Sequence, residues 1–88
     1  MDHRFWKISK EGHASIIART KAGAYEAWDS YGRHDVTVEY HRIWEATDGK
    51  KYDSCYPVTR LARRPLKSGE VNYCFSYGKA IYDKEVKQ

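Results

Sequence analysis

The segment "RLARRPLK", residues 60–67, concentrates positive charge in a way that suits an anionic ligand. Its four cations are Arg60, Arg63, Arg64 and Lys67, with no acidic residue among them. The last third of the chain, residues 59–88, carries a surplus equal to the whole net charge of +4. The planar arginine fork suits phosphate and carboxylate partners better than the point charge of lysine. The segment therefore predicts a phosphate- or acid-binding site, and a solvated basic loop that only aids solubility is the alternative.

Pro65 decides the shape that this segment is expected to take. The cations are spaced as they would be on one stripe of a helix, but a proline lacks the amide hydrogen and disfavours the helical conformation at Arg64. We therefore predict a basic loop over residues 59–69. Leu61 and Leu66 would anchor this loop to the core while the cations point outward.

Tyrosine is abundant, with eight residues in the chain. Modules that bind nucleic acid combine a positive groove with exposed aromatic rings on which bases stack. In the hairpin predicted below, Tyr52 and Tyr56 run toward the basic loop, and we include both in the predicted binding site. Most other rings are expected to fill the core, and the aromatic motif typical of RNA-recognition domains is absent.

Catalytic and metal-binding patterns are weak in this sequence. His41 and Cys55 are predicted to face each other, and a histidine can activate a thiol, but no third group that would orient the histidine is evident. A metal site built from His34, His41, Cys55 and Cys74 would need ligands from separate strands. The sequence therefore predicts no catalytic residue, no metal and no cofactor.

The clearest elements are one helix and one hairpin. Thr20 is a suitable N-cap and Gly32 a suitable stop, which predicts a helix over residues 21–31. Its predicted faces are Tyr25 and Trp28 toward the sheet, and Glu26 and Asp29 toward water.

The hairpin lies within "DVTVEYHRIWEATDGKKYDSCYPV", residues 35–58. A two-residue Asp-Gly turn and a three-residue loop with Gly49 at positive φ give different registers. The three-residue loop matches the hydrophobic residues better, and a slip of one residue would move every side chain to the wrong face. The predicted pairs are Trp44–Tyr52, Tyr40–Tyr56 and Val38–Val58 on one face, and Glu45–Lys51, Ile43–Asp53 and His41–Cys55 on the other.

Further strands are predicted at residues 5–9, 14–19 and 71–77. Residues 79–88 fit either a last strand or a short helix, with a frayed end over 84–88. The fold class is α+β: one α-helix packed on a four- to five-stranded, mostly antiparallel sheet, in the order β-β-α-β-β-β. We expect residues 1–88 to form a single domain.

Composition limits where the protein acts. The two cysteines do not suggest a disulfide framework, no apolar run approaches the length of a membrane span, and the N-terminus lacks the apolar core of a signal peptide. We expect a cytoplasmic protein that does not contact a membrane.

Together these features predict a small non-catalytic binding module with a basic, tyrosine-rich surface. Its size is typical of accessory proteins from bacteriophages or mobile elements that inhibit a host-defence nucleoprotein, as CRISPR inhibitors do. The expected partner is a nucleic acid, a nucleoprotein or a nucleotide. The alternatives are an inhibitor that binds an acidic host protein, a sponge for a nucleotide second messenger, and a small metal-free ribonuclease in which His41 or a tyrosine acts among the arginines.

Overall fold

A computed structural model describes residues 3–87, which form six strands and one helix. In chain order the elements are β1 (His3–Lys10), β2 (Ile16–Ala18), α1 (Lys21–Ser30), β3 (Val36–Glu45), β4 (Lys51–Pro65), β5 (Val71–Tyr77) and β6 (Tyr82–Glu85). The α+β class with one helix and an antiparallel sheet is confirmed, but the sheet has six strands instead of four or five. Within the described range, no helix has the length and apolar character needed to cross a membrane.

The sheet is built around β4, which is 15 residues long. The strand order is β2-β1-β3-β4-β5, and β6 also pairs with β4. The first part of β4 lies between β3 and β6, and its second part pairs with β5. Between β5 and β6, the amide of Gly78 donates to the carbonyl of Pro57 and that of Ile81 to the carbonyl of Cys55. Strands β5 and β6 therefore pair one after the other with the same edge of β4. The order of strands in the sheet thus differs from their order in the chain.

The hairpin of β3 and β4 has the predicted register. Trp44 lies opposite Tyr52, and Gly49 has a φ of 84° in a turn closed by the Ala46 amide, which donates to the Lys50 carbonyl at 2.8 Å. The other predicted pairs that the ladder contains are Tyr40–Tyr56, Glu45–Lys51, Ile43–Asp53 and His41–Cys55. The ladder ends one step before the expected Val38–Val58 pair, because β4 then turns toward β5 through an irregularity after Val58.

Helix α1 begins where the sequence predicts. The Thr20 hydroxyl accepts a hydrogen bond from the Gly23 amide at 3.0 Å, which satisfies one of the free donors of the first turn. Gly32, with a φ of 87°, follows the helix end. Glu26 and Asp29 are exposed, as expected.

The buried face of α1 is centred on two alanines instead of the predicted aromatic residues. Ala24 and Ala27 are the buried residues, whereas Tyr25 and Trp28 are half-buried at the side of the helix. Small side chains suit a close approach of the helix to the sheet. Trp28 still packs against the core cluster, and the Tyr25 ring lies 5.6 Å from that of Tyr73 in β5. The two alanines join Trp6, Ile8, Ala18 and Val38 in one core cluster between α1 and the sheet.

The predicted basic loop is mostly strand. Residues 59–65 continue β4, and only a tight turn separates β4 from β5, closed by the Leu66 amide donating to the Glu70 carbonyl at 2.8 Å. Pro65 excludes a helix, but as the last residue of β4 it is compatible with a strand end. Of the segment 84–88 that was expected to fray, Lys84 and Glu85 lie in β6, and Gln88 lies outside the described residues.

Candidate functional site

The four cations of the predicted site do not form one cluster. Side chains alternate between the faces of a strand. Arg63 therefore points to the helix side, where its guanidinium carbon lies 5.7 Å from the centre of the Tyr25 ring. Arg60 and Arg64 point to the opposite face, and Lys67 lies in the turn after β4. The structure thus distributes the predicted cations over two faces and a turn.

The two predicted tyrosines lie on the helix side of the sheet, in different surroundings. Tyr52 stacks on Trp44, with ring centres 5.0 Å apart. Tyr56 instead lies opposite Tyr40, with ring centres 6.0 Å apart and the ring planes 29° from parallel. Tyr56 is therefore the predicted site residue that belongs to a pocket.

This pocket, the arginine–tyrosine pocket, is open and has a volume of about 320 Å³. Its lining residues are Arg4, Tyr40, Arg42, Tyr56 and Tyr77. They come from the four strands β1, β3, β4 and β5. Arg4 in β1 lies opposite Arg42 in β3, and Tyr40 in β3 lies opposite Tyr56 in β4. Tyr77 ends β5, with its ring centre 5.2 Å from that of Tyr40. The pocket shares a sheet face with α1 but occupies the part that the helix leaves uncovered.

The electrostatics of the pocket favour an anionic ligand. Within residues 3–87 its lining includes two arginines and no acidic side chain. Burial raises the pKa of the Tyr40 hydroxyl, and the nearby positive charge of Arg4 opposes this effect. The hydroxyl therefore stays protonated at neutral pH and can donate a hydrogen bond. Tyr77 is 40% exposed, so part of its ring is free to contact a ligand.

A second group of functional side chains lies on the opposite face of the sheet. The His41–Cys55 pair is confirmed, with Nε2 of His41 3.6 Å from Sγ of Cys55. Glu39, two residues before His41 on β3, places Oε2 3.6 Å from the same sulfur. We call Glu39, His41 and Cys55 the β3–β4 cluster. Cys55 is fully buried and His41 nearly so.

The surroundings of His41 correct the expectation that nothing orients it. Its Nδ1 lies 3.0 Å from Oδ1 of Asp53, and Phe5 stacks on the ring at 4.8 Å with the planes 2° apart. The Tyr82 hydroxyl lies 3.5 Å from the second oxygen of Asp53 and also hydrogen-bonds with Cys55. The imidazole is therefore held in one position, with Nε2 directed at Cys55 and Glu39.

The β3–β4 cluster resembles the arrangement of a nucleophile, a base and an orienting acid, but its cysteine is not a nucleophile in this state. Burial, and then the negative charge of Glu39, raise the pKa of the Cys55 thiol to about 11. At neutral pH the thiol is protonated and donates to Glu39. The cluster does offer one sulfur, one imidazole nitrogen and one carboxylate, which lie within 4.8 Å of one another and can hold a metal ion.

The metal set considered from the sequence does not assemble in the described residues, since His34 and Cys74 are exposed and the cluster that forms includes Glu39 instead. The ribonuclease alternative, in which His41 or a tyrosine acts among arginines, stays a prediction. His41 lies on the face of the sheet opposite Arg4 and Arg42, because neighbouring residues of β3 point to opposite faces, whereas tyrosines do lie beside these two arginines in the pocket.

Sequence reasoning missed four of the five pocket residues: Arg4, Tyr40, Arg42 and Tyr77. Arg42 could have been found from the sequence. The predicted register pairs Tyr40 with Tyr56, and Arg42, two residues after Tyr40 on β3, must lie on the same face of the sheet. The position of Arg4 depends on the pairing of β1 with β3, which joins residues far apart in the chain and has no local signal.

No protein-family model, curated protein or solved structure matches this chain. The domain is a six-stranded antiparallel sheet with one helix, an arginine–tyrosine pocket on the helix side and the β3–β4 cluster on the other. What it can bind follows from the chemistry of these two faces.

Proposed function

We propose that this protein is a non-catalytic module that binds single-stranded nucleic acid through the arginine–tyrosine pocket. The observation that carries the proposal is the convergence of two arginines and three tyrosines on an open part of the sheet. The predicted class of function is retained, while the site moves from the basic segment to this pocket. Of the residues predicted from sequence, Tyr56 is the one that the pocket includes.

Each residue type in the pocket supports one part of the recognition. An arginine guanidinium donates paired hydrogen bonds to phosphate oxygens, and Arg4 and Arg42 lie directly opposite each other. Tyrosine rings stack on bases of any sequence, a contact that contributes about 1–3 kcal/mol per base. Single strands expose the faces of their bases, whereas the bases of a duplex are already stacked. The arrangement therefore favours a single strand over a duplex.

The size of the pocket supports a ligand that binds one unit at a time. Its volume of about 320 Å³ lies near the lower limit of about 300–1,000 Å³ for small-molecule pockets. One base with its phosphate fits this scale, and the open rim allows the strand to continue along the surface. A sponge for a nucleotide second messenger would use the same residues, but the pocket would then hold the whole ligand and no strand would continue past its rim.

The expected biological partner is a nucleoprotein of a host defence system, whose accessible single strand the module would cover. The arginine and tyrosine side chains of the pocket would hold a strand by hydrogen bonds and stacking, which supports a blocking role. This part of the proposal depends on the binding activity and is tested after it.

Fluorescence anisotropy with a labelled single-stranded oligonucleotide, its duplex and a mononucleotide tests the proposal. We expect the single strand to bind most tightly. Arg4→Ala should reduce the slope of log affinity against log salt by about 0.7, the value for one phosphate contact on a single strand. Tyr56→Ala should weaken binding about 5- to 150-fold, which corresponds to the loss of one stacked base.

Two matched variants serve as controls. Lys7→Ala removes a charge from β1 on the face opposite Arg4, and Tyr52→Ala removes a ring that stacks on Trp44 outside the pocket. Both should leave binding nearly unchanged. Equal losses in Lys7→Ala and Arg4→Ala would show that the pocket is not the site. A mononucleotide that binds as tightly as the oligonucleotide would replace the proposal with the second-messenger sponge.

A further inference from the structure

The β3–β4 cluster brings three metal-binding groups together on two neighbouring strands. Glu39 and His41 share a face because they are two residues apart on β3, and Cys55 lies directly opposite His41 on β4. The hairpin register alone therefore places one carboxylate, one imidazole and one thiol at the same point. The side chain of Glu39 is 27% exposed, compared with 8% for His41, so the cluster is accessible from the Glu39 side.

The distances within the cluster are near those between the ligands of one tetrahedral ion. Sγ of Cys55 lies 3.6 Å from Nε2 of His41 and 3.6 Å from Oε2 of Glu39, while the other Glu39 oxygen, Oε1, lies 3.8 Å from Nε2. With one ligand atom taken from each residue, the three atoms lie within 4.8 Å of one another. A tetrahedral zinc ion with bonds of about 2.3 Å to sulfur and about 2.0–2.2 Å to nitrogen or oxygen has ligand-to-ligand distances of about 3.4–3.6 Å. Binding an ion therefore requires side-chain movement that brings one Glu39 oxygen closer to both other ligand atoms.

The groups behind the cluster hold the histidine as a metal ligand requires. Asp53 accepts from Nδ1 at 3.0 Å, which leaves the lone pair of the neutral imidazole on Nε2, and Phe5 fixes the plane of the ring. A carboxylate on the second nitrogen is the usual partner of a metal-bound histidine. Tyr82 hydrogen-bonds with Cys55 and can donate to a thiolate there. Asp53, Phe5 and Tyr82 are thus positioning residues.

We propose that Glu39, His41 and Cys55 bind a divalent transition-metal ion of the zinc class. One thiolate, one imidazole and one carboxylate form a donor set of mixed softness, which suits Zn²⁺ and its spectroscopic substitute Co²⁺ better than Mg²⁺ or Ca²⁺. On binding, the Cys55 S–H bond breaks, the sulfur bonds to the metal and the proton passes to solvent. Water occupies the fourth position, on the open side next to Glu39. The site is on the face opposite the arginine–tyrosine pocket and does not depend on nucleic-acid binding.

Titration of the metal-free 88-residue chain with Co²⁺ alone tests the proposal. We expect one Co²⁺ per chain by native mass spectrometry, a sulfur-to-cobalt charge-transfer band in the near ultraviolet and the visible bands of tetrahedral cobalt. Zn²⁺ should displace the cobalt and abolish these bands. Zn²⁺ should also raise the midpoint of thermal unfolding, because an ion that binds the folded chain stabilises it.

The second cysteine provides a matched control. Cys74→Ser changes the exposed thiol on β5 and should retain the charge-transfer band, whereas Cys55→Ser should lose it. Glu39→Gln, at a partly exposed position, tests the same site without emptying a buried one and should weaken Co²⁺ binding at least tenfold. Asp53→Asn should keep the band but weaken binding about 10- to 100-fold, as expected for a positioning residue.

Three outcomes would overturn the proposal. These are a wild-type chain without the charge-transfer band, a band lost in Cys74→Ser but kept in Cys55→Ser, and unchanged Co²⁺ affinity in Glu39→Gln. None of these measurements contains nucleic acid. A failed metal site and a failed arginine–tyrosine pocket would therefore be recognised separately.

Discussion

At the scale of single residues, the two cysteines differ in chemistry because their positions in the fold differ. Cys55 is fully buried between Glu39 and His41, and its thiol has a pKa of about 11. Cys74 is exposed on β5, and its sulfur accepts a weak hydrogen bond from the side-chain Nδ2 of Asn72 at 3.4 Å. A thiol without solvent access is protected from reagents, whereas an exposed thiol is open to them. Cys55 is the cysteine of the proposed metal site, and Cys74 is its matched control.

Gly49 permits a direct test of the hairpin at this scale. Its φ of 84° lies in the region that favours glycine, and an added Cβ would meet no atom within 4 Å. The penalty of Gly49→Ala is thus purely that of the backbone, and we expect a loss of about 1–2 kcal/mol in the free energy of unfolding. Gly49→Asn should lose less, because asparagine tolerates this region. Urea denaturation measures both, and equal stability of the alanine variant would contradict the turn.

At the scale of elements, the contact between α1 and the sheet depends on small side chains. Ala24 is fully buried and Ala27 nearly so, while Tyr25 and Trp28 lie at the side of the helix. There the guanidinium of Arg33 lies over both rings and also pairs with Asp29 at 2.7 Å. The aromatic residues thus cover the side of the contact between α1 and the sheet, and the two alanines determine how closely the helix lies on the sheet.

A larger residue at Ala24 should disrupt this contact. Ala24→Leu forces a side chain into a closed space, and we expect a loss of about 1–3 kcal/mol in the free energy of unfolding, as is typical of overpacked cores. Glu26→Leu adds a leucine at an exposed position of the same helix and should have little effect. Thermal or urea unfolding compares the two variants. If Ala24→Leu is as stable as the wild type, the helix does not pack closely on the sheet.

At the scale of the whole molecule, the domain is thin and presents both faces of its sheet. Its principal extents are 45 × 36 × 21 Å, the smallest of which corresponds to one sheet and one helix. The arginine–tyrosine pocket and the β3–β4 cluster lie on opposite faces, so a ligand on one face leaves the other accessible. Arg60 and Arg64 are exposed beside the second face. They contribute to the positive field of the molecule and do not line the pocket.

The variant Arg60→Ala/Arg64→Ala should therefore affect how fast a ligand arrives. We expect a several-fold slower association with single-stranded oligonucleotide at low salt and an unchanged dissociation rate, because two charges supply only part of a steering effect that can total about 10- to 1,000-fold. The difference should disappear near 1 M salt, where the screening length is about 3 Å. Stopped-flow fluorescence measures both rates.

Arg60→Lys/Arg64→Lys is the control, because it keeps the charge and changes the donor geometry. Its association rate should equal that of the wild type if these residues act through the long-range field. A faster dissociation in both variants would mean that the two arginines contact the ligand directly, as the sequence predicted, and that steering is not their role.

The sequence by itself determined the parts of the fold that short-range interactions control. The turn at Gly49 and the alternation on either side of it were sufficient to predict which residues of β3 and β4 face each other. The cap at Thr20 and the glycine at 32 predicted the ends of α1. In each case the deciding contacts join residues close in the chain, so their preference is visible without the rest of the molecule.

Only the tertiary structure decided the arginine–tyrosine pocket and the side chains that surround the β3–β4 cluster. Residues 59–65 become strand because β5 pairs with them, and the pocket forms because β1 brings Arg4 to Arg42 across a long chain separation. The same folding places Phe5 on His41 and Tyr82 beside Cys55. Pairings between distant segments are selected by the burial and hydrogen bonding of the whole sheet. No local pattern of residue types specifies which distant strands will meet.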